Sequence, residues 1–503
     1  MVDRARVEAE HMLRERTRRE WVAWVSGKQP EPAAGWEERR WVYSPGTIDI
    51  LRRRIRSEKL NDSRRALHFL HALLVGDNIR DAVTDLDRRA LAIRLGDVEF
   101  DGESMPFRDL QARLGREPDP LQRRRLTEAS LPLLAELNPI LEERERQMNR
   151  AAALLGYGDA IAVASEIRRY DLKRAGKLAE AILASSDAVY LSALRELMPA
   201  AVDVRFERLR PADVPRLRHS SRYAHYFPAD GILPAINATL EELGIVLEDL
   251  PVRVDSRDLP RKNPRAACFP VIVPQDIRLS IKPTGGVVDY ALLLHEMGHA
   301  LQFVYTRTPV FEFQQLGDNS VAEAYAFLIE GLADEPAWLH DRLGLDEPML
   351  TDYVRLAALK RLFMVRRYAG RLLFELEWRG GEHRRGRAIY RRHMSRAYGF
   401  TLEDADVERY LIDQDDFFYS ADYVRGWVLA AQLRSFLRRR FGGPWWRNPE
   451  AGKTLRELWS AGQHDTADEL AGRLQFGELA PEPLVKWAAM ALLRGSSHAA
   501  VRP

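Results

Sequence analysis

The sequence predicts a mainly α-helical fold with one small antiparallel β-sheet, and two patterns support this prediction. Apolar residues recur at helical spacing over residues 3–25, 48–95, 120–155 and 172–198, and again from 287 to the end. Between about 200 and 290 prolines become frequent, and short β-like runs stand at 251–255 and 277–281. We therefore expect a helical protein in which a small sheet precedes the helix that begins at Val287.

The change near residue 200, from helical periodicity to frequent prolines and short β-like runs, predicts two lobes. Residues 1–200 are expected to form an N-terminal helical lobe, and residues 201–503 a second lobe that carries the chemistry. The best local linker is the short segment 27–36, GKQPEPAAGW. The two parts are either lobes of one fold or separate domains, and the sequence leaves both open.

Composition and charge exclude several classes of protein. The 503 residues are 46% hydrophobic and 30% charged, with a net charge of only +2, so no nucleic-acid partner is implied. The arginine runs 384–385 and 438–440 are interpreted as solvated helix faces. The N-terminus has no apolar signal segment and no run is long enough to span a membrane, so we expect a cytoplasmic protein.

A single cysteine, Cys268, excludes an internal disulfide. It lies in the segment AACFP, with no histidine nearby in sequence, so it is interpreted as a small buried apolar residue rather than a nucleophile. The sequence says nothing about the oligomeric state.

The strongest motif is HEMGH at residues 295–299, which follows the apolar run ALLL. Residues at i and i+4 share one face of a helix, so His295 and His299 can direct imidazole nitrogens at one ion. Glu296 lies about 100° round the same helix, beside the metal rather than on it. There it can act as a general base and then as a general acid.

A second helix is predicted over residues 319–330, with Asp318, Asn319 or Ser320 as its N-cap. Glu323 stands on an otherwise apolar face of this helix, where an unpaired carboxylate would be costly, so it is the candidate third ligand. Glu330, two turns further on, is placed to accept a hydrogen bond from a ligating histidine.

Two histidines and one glutamate with an open position are typical of a catalytic zinc site, whereas structural zinc sites usually have four protein ligands. The sequence therefore predicts one Zn²⁺ per chain, held by His295, His299 and Glu323. Amide hydrolysis is the reaction class that this chemistry favours. Whether the ion in the cell is zinc or another divalent metal stays open.

The chain resembles the oligopeptidase family of gluzincin metallopeptidases, which includes thimet oligopeptidase and oligoendopeptidase F. The resemblance is strongest in RKNPRAACFPVIVPQDIRLSI (261–281) and LLLHEMGHALQ (292–302), and the positions of Glu323 and Glu330 match the family pattern. Weaker similarity covers 137–159 and 448–470. The resemblance implies a two-lobed helical fold with a deep channel that admits short unstructured peptides, with zinc at its floor.

The chain departs from the family near the end of the predicted second lobe, where members carry a histidine and two tyrosines that hydrogen-bond the reacting substrate. In the matching stretch 413–427, Tyr423 is the first candidate for the oxyanion donor and Tyr419 the second, or both are structural. The histidine is absent, and Gly426 stands at the last tyrosine position. His219 and His225 are candidate replacements for the missing histidine.

Three functions compete on these observations. The first is a zinc peptidase for short peptides, in which an edge strand near 267–273 pairs with the substrate backbone. The second is a zinc-dependent amide hydrolase or tailoring enzyme with a non-standard substrate, which the altered tyrosine region motivates. The third is a peptide-binding protein without catalysis, and the intact HEMGH motif argues against it because binding alone does not need Glu296.

Overall fold

A computed structural model describes residues 1–28, 37–381 and 383–494. Most of the linker that the sequence predicts over 27–36 lies outside these residues. Within them, the prediction of a mainly α-helical fold is confirmed. No helix in the described ranges is both long enough and apolar enough to cross a membrane.

The helices of the described chain are α1 Val2–Ser26, α2 Pro45–Ser57, α3 Asn61–Asp81, α4 Thr84–Arg94, α5 Leu110–Arg116, α6 Pro120–Ala129, α7 Leu131–Leu154, α8 Ala160–Arg168, α9 Leu172–Val202, α10 Val214–His219, α11 Ile232–Glu242, α12 Val287–Tyr305, α13 Phe311–Gln315, α14 Asn319–Glu330, α15 Pro336–Leu343, α16 Met349–Arg379, α17 Gly386–Tyr398, α18 Asp404–Val407, α19 Tyr419–Phe441, α20 Pro449–Ser460, α21 Ala467–Arg473 and α22 Glu482–Leu492.

The strands are β1 Asp97–Phe100, β2 Glu103–Pro106, β3 Val252–Asp255, β4 Ala267–Ile272 and β5 Asp276–Ser280. Strands β1 and β2 form a separate hairpin that the sequence does not predict. The other three form a sheet of order β3–β5–β4. The β4–β5 pair is antiparallel as predicted, whereas β3 joins β5 in parallel, so the sheet is mixed. Strand β4 is at the edge of the sheet.

The centre of the molecule is a layer of three helices, α12, α14 and α19. Every residue of α14 from Ser320 to Ile329 is buried, which is the pattern of a helix apolar on all sides. Its N-cap is Asp318, one of the three predicted candidates, whose side chain accepts a hydrogen bond from Ser320 N at 2.9 Å.

Two glycines allow these helices to approach closely. A Cβ added at Gly298 of α12 would lie 2.6 Å from Ala326 Cα, and a Cβ at Gly426 of α19 would lie 2.8 Å from Glu323 Cβ. Real Cβ atoms do not approach so closely, because cores are packed at nearly crystal density. The two glycines therefore bring α12 and α19 against the two sides of α14.

The two predicted lobes share one apolar core. The largest cluster of buried apolar residues runs from Ala9 to Leu492 and includes residues on both sides of position 200. Helix α9, which contains this position, packs along the long helix α16. The boundary at residue 200 itself stays a prediction.

Helix α1 fixes the edge strand of the sheet, although the two are about 240 residues apart in sequence. The rings of Trp21 and Trp24 pack edge-on against Phe269 of β4, with centroids 5.5 and 5.8 Å away. Trp24 Nε1 donates to Arg265 O at 3.1 Å, and Asn263 N donates to Trp24 O at 2.9 Å. The segment that enters β4 is therefore held at both its backbone and its side chains.

Candidate metal centre

The structure brings together the three predicted ligands. His295 and His299 lie one turn apart on α12, and Glu323 lies on the facing side of α14. Glu323 Oε2 is 3.4 Å from His295 Nε2 and 3.9 Å from His299 Nε2, and all three ligand atoms lie within 4.8 Å of one another. In the described part of the chain this is the group of histidine and carboxylate side chains that fits a metal ion.

The carboxylate of Glu323 shows that these residues fit a cation. The side chain is only 4% exposed, and its Oε1 accepts a hydrogen bond from the Tyr419 hydroxyl at 2.7 Å. Its Oε2 is buried without a hydrogen-bond partner among the described residues. A buried unsatisfied carboxylate oxygen is costly. Two ligands each about 2.1 Å from one tetrahedral ion are about 3.4 Å apart, so the observed spacing suits zinc.

A chain of contacts orients His295. Its Nδ1 lies 2.9 Å from Glu330 Oε2, and Glu330 Oε1 pairs with Arg361 at 3.1 Å. The Arg361 guanidinium also binds the carboxylate of Asp334. In the tautomer whose Nδ1–H donates to Glu330, the Nε2 atom that faces Glu323 carries a lone pair and can coordinate a metal.

The protonation state of His299 also suits a metal ligand. Burial lowers the pKa of His299 to about 4, partly opposed by the negative charge of Glu323. The imidazole is therefore neutral near pH 7, and neutral imidazole is the form that coordinates zinc.

Glu296 lies beside the ligands and is held by the edge strand. The backbone N–H of Cys268 donates to Glu296 Oε2 at 2.8 Å. Burial raises the pKa of Glu296 to about 7, with His295 opposing the rise and the charges of Glu323 and Glu330 adding to it. A carboxyl group with a pKa near the working pH suits general acid–base chemistry.

Cys268 contributes its backbone to the site rather than its thiol. The residue is half-buried rather than fully buried as expected. Burial raises the pKa of the thiol well above its usual value, so the reactive thiolate is disfavoured. This agrees with the interpretation that Cys268 is not a nucleophile.

The two candidate tyrosines differ in what their hydroxyls contact. Tyr419 donates to the predicted ligand Glu323, so its proton is already engaged. The ring of Tyr423 packs against Tyr419 and Tyr368, with centroids 4.9 and 4.8 Å away. Its hydroxyl makes no hydrogen bond to the described residues, and the side chain is only partly buried. The Tyr423 hydroxyl is thus the donor that remains available to a substrate.

A strained turn sets the start of the helix that carries both tyrosines. Phe417 and Phe418 adopt left-handed conformations with φ of 51° and 57°. Arg168, at the end of α8, holds this turn by donating to Phe417 O and to Asp416 O, each at 2.8 Å. Left-handed backbone is unfavourable for bulky side chains, and two such residues in succession persist only when their surroundings fix them.

The departure at Gly426 has a structural reason. Position 426 faces α14, where any side chain would collide with Glu323 Cβ. A tyrosine at this position would therefore displace Glu323. The absence of a tyrosine there is a packing requirement of this chain.

The candidate replacements for the missing histidine lie elsewhere. The ring of His225 packs on Tyr226, with centroids 4.1 Å apart. His219 ends α10, where its Cβ lies against Gly115, and the charge of Asp289 acts on its ring. In the described structure neither joins the group of three ligands.

Sequence reasoning missed two contributors to this site, Arg361 and the backbone N–H of Cys268. Arg361 lies in a 31-residue helix with many arginines, so no local pattern distinguishes it. A backbone donor has no signature in the sequence at all. The sequence predicts an edge strand over 267–273 that pairs with a substrate, but it does not predict the contact of the Cys268 N–H with Glu296.

Comparison with known proteins identifies the fold. No family model matches the chain, and no curated protein matches it in sequence. A Bacillus anthracis str. Ames protein described as an oligoendopeptidase F superposes with a TM-score of 0.66 at 15% identity, covering 94% of this chain and 86% of that one. PZ peptidase A, solved with an inhibitor, superposes with a TM-score of 0.70 at 15% identity, covering 94% and 89%.

A protein from Chlamydophila abortus described as a peptidase gives a TM-score of 0.61 at 15% identity, with 91% of this chain and 82% of that one covered. At this level of identity the likeness establishes the fold and nothing finer. The predicted resemblance is confirmed at that level: the chain has the mainly α-helical, two-lobed fold of the oligoendopeptidase F-like peptidases.

Proposed function

We propose that this protein is a zinc-dependent peptidase that hydrolyses short peptides. The observation that carries the proposal is the buried, unpartnered oxygen of Glu323, which faces the Nε2 atoms of His295 and His299 next to Glu296. The peptidase fold of the structural neighbours supports the same reaction class.

His295, His299 and Glu323 would hold one Zn²⁺ per chain, with Glu330 orienting His295. When bound, the ion supplies Lewis acidity, which polarises a carbonyl and makes water a better nucleophile. The protein residues supply the proton transfers, the placement of the peptide and the stabilisation of charge.

Glu296 performs the proton transfers in this proposal. One carboxylate oxygen is fixed by the Cys268 N–H, which leaves the other to take a proton from the attacking water. The same group then gives that proton to the amine that leaves when the C–N bond breaks. A pKa raised to about 7 by burial lets one group do both near neutral pH.

Tyr423 is the proposed donor to the oxyanion that develops on the substrate carbonyl. Its free hydroxyl and partial exposure support this role, while Tyr419 acts on the ligand Glu323 and not on the substrate. Preorganised donors of this kind typically contribute about 10²–10³ in rate.

Strand β4 is the proposed binding edge for the peptide backbone. It is the outer strand of its sheet, and Glu296 lies beside it at Cys268, whose N–H donates to the Glu296 carboxylate. An extended peptide can add to such an edge through main-chain hydrogen bonds, largely independent of sequence.

The test is hydrolysis of a mixed set of fluorogenic quenched peptides by protein of measured metal content. We expect cleavage by the wild type and a loss of about 10²–10⁴ in Glu296→Gln, with the metal retained. Glu241→Gln, which removes an exposed carboxylate on α11, is the matched control and should behave as wild type.

Activity that survives in Glu296→Gln would contradict the proposed mechanism. Cleavage of no peptide by zinc-loaded wild type, together with hydrolysis of a non-standard amide, would instead favour the specialised amide hydrolase.

A further inference from the structure

Two arginines near the proposed peptide-binding edge have no counter-ion among the described residues. Arg218 lies in the last turn of α10, and Arg265 lies two residues before β4. Both side chains are exposed, and neither guanidinium makes an ion pair or a hydrogen bond within the described chain. Most arginines close to the metal centre are paired, as Arg361 is with Glu330.

The position of Arg265 is fixed relative to the reacting groups. It precedes Cys268, whose N–H binds Glu296, by three residues, which is about 10 Å along an extended chain. Its backbone is held because Arg265 N donates to Asn263 Oδ1 at 3.0 Å and Arg265 O accepts from Trp24. The backbone is therefore rigid while the guanidinium is free to bind a ligand.

Contacts through α16 place Arg218 near the same site. Ser220, two residues after Arg218, has a left-handed φ of 50° and accepts a hydrogen bond from Lys360 Nζ at 3.0 Å. The next residue of α16, Arg361, pairs with Glu330, which in turn binds His295.

Arg218 lies near other positively charged side chains. Its side chain is exposed, yet surrounding protein lowers the pKa of the guanidinium, and the charges of Arg367 and Arg265 lower it further. The nearby carboxylate of Glu330 is already paired, so positive charge remains uncompensated there.

We propose that Arg218 and Arg265 form a subsite for a peptide carboxylate, and that the carboxylate is the C-terminus of the substrate. This rests on the proposed function, which it deepens by assigning the cleavage position. Arginine suits this role because its planar guanidinium forms paired, charge-assisted hydrogen bonds with carboxylates.

The direction of the bound peptide decides which end reaches the arginines. Antiparallel pairing is the more stable arrangement for a strand added at an edge. In that orientation the part of β4 that precedes Cys268 lies beside the C-terminal side of the cleaved bond. Arg265, three residues before Cys268, therefore meets the substrate about three residues beyond that bond. The enzyme then releases short C-terminal fragments instead of cutting at internal positions.

The experiment measures binding on Glu296→Gln protein, so that turnover does not intervene. Each peptide is prepared with a free C-terminal carboxylate and with a C-terminal amide. We expect the free acid to bind about tenfold or more tightly, since charged hydrogen bonds are about twice as strong as neutral ones. Adding Arg218→Gln or Arg265→Gln should reduce this preference, and the two together should remove it.

Arg205→Gln, which removes an exposed arginine between α9 and α10, is the control and should leave the preference unchanged. Peptides that carry an internal Glu or Asp and an amidated C-terminus distinguish the two sources of carboxylate. Equal binding of acid and amide, a preference that survives in the double variant, or a preference that follows the internal side chain would each overturn the assignment.

The proposed function and this subsite fail in different ways. If wild type cleaves peptides but the acid and amide forms bind equally, the peptidase proposal is supported and the carboxylate subsite is contradicted. If wild type cleaves no peptide but the arginine-dependent preference is observed, the carboxylate subsite is supported and the peptidase proposal is contradicted.

Discussion

The candidate metal centre and the basic wall, which we define as Arg218 and Arg265, differ in whether their polar side chains have partners within the protein. At the candidate metal centre, neighbouring residues hold the key side chains: Glu330 contacts His295, Tyr419 donates to Glu323, and the Cys268 N–H donates to Glu296. At the basic wall, the two guanidinium groups have no hydrogen-bond or ion-pair partner among the described residues.

The difference teaches how the two regions work. Residues that hold an ion or move a proton must keep one geometry, and hydrogen bonds from a second layer of residues provide it. Groups that bind a ligand that arrives and leaves gain affinity when their hydrogen-bonding capacity is unused in the free protein. Partnered groups are therefore held in one geometry, and unpartnered groups are the positions where a ligand can bind.

The largest expected effect follows from removing the unpartnered oxygen of the metal centre. Glu323→Gln should lose stoichiometric zinc and with it all hydrolysis, exceeding the roughly 10–100-fold loss of affinity that follows removal of an outer partner. Elemental analysis and metal titration measure this. Glu312→Gln, at another buried glutamate, should retain zinc, and zinc binding at full affinity in Glu323→Gln would remove Glu323 from the ligand set.

The two tyrosines provide the next test, because one hydroxyl is partnered and the other is free. Tyr423→Phe should lower kcat by about 10²–10³ and leave zinc affinity unchanged. Tyr419→Phe should instead weaken zinc binding, since it removes the hydrogen bond to Glu323. The two variants are compared by steady-state kinetics and metal titration, and the reverse pattern would exchange their assigned roles.

A smaller effect on zinc affinity is expected from Arg361, which acts on the predicted ligand His295 through Glu330. Arg361→Gln should weaken zinc binding by about tenfold, at the lower end of the range for outer-shell partners, because Glu330 loses its ion pair and orients His295 less firmly. Arg355→Gln on the same helix is the control, since Arg355 pairs with Glu196. Unchanged affinity in Arg361→Gln would show that Glu330 needs no such support.

The smallest effect concerns Lys360, whose charge lies near Arg218 of the basic wall. Burial lowers the pKa of Lys360 to about 8, with Asp334 opposing the shift and Arg218 and Arg361 adding to it. Lys360 is therefore charged at pH 7 and mostly neutral at pH 9, so a nearby carboxylate is attracted less as the pH rises. The affinity of Glu296→Gln protein for free-acid peptides should fall a few-fold between these pH values.

Lys360→Met should remove this pH dependence, and titration calorimetry at pH 7 and pH 9 measures it. The amidated peptides provide the baseline, because they carry no terminal charge. A fall of equal size for acid and amide would show that Lys360 does not act on the carboxylate.

Local periodicity predicted the parts of the site that lie on single helices. The i, i+4 spacing of His295 and His299, the cap at Asp318 and the seven-residue spacing of Glu323 and Glu330 all follow from helix geometry within a few turns. A buried carboxylate on an apolar helix indicated a partner before the structure provided its location.

Contacts between distant segments could not be predicted in this way. The hydrogen bond from Tyr419 to Glu323 spans 96 residues, and the one from Cys268 N to Glu296 spans 28. The parallel pairing of β3 with β5 is also invisible to alternation, which indicates which face of a strand is buried but not its direction. Likewise, the packing of Gly426 against Glu323 depends on where α19 crosses α14.

The left-handed turn at Phe417 and Phe418 has a consequence for how the protein responds to heat and mild denaturant. A residue in a sparsely populated backbone conformation lowers the stability of the fold by about 1–3 kcal/mol. The hydrogen bond from Arg168 to Phe417 O holds this turn in place. Segments that store such energy are among the first to open when a protein is heated or mildly denatured. If the proposed function is right, hydrolysis should therefore be lost on heating while the helices are still intact, because Tyr423 moves out of place before the proposed metal site comes apart.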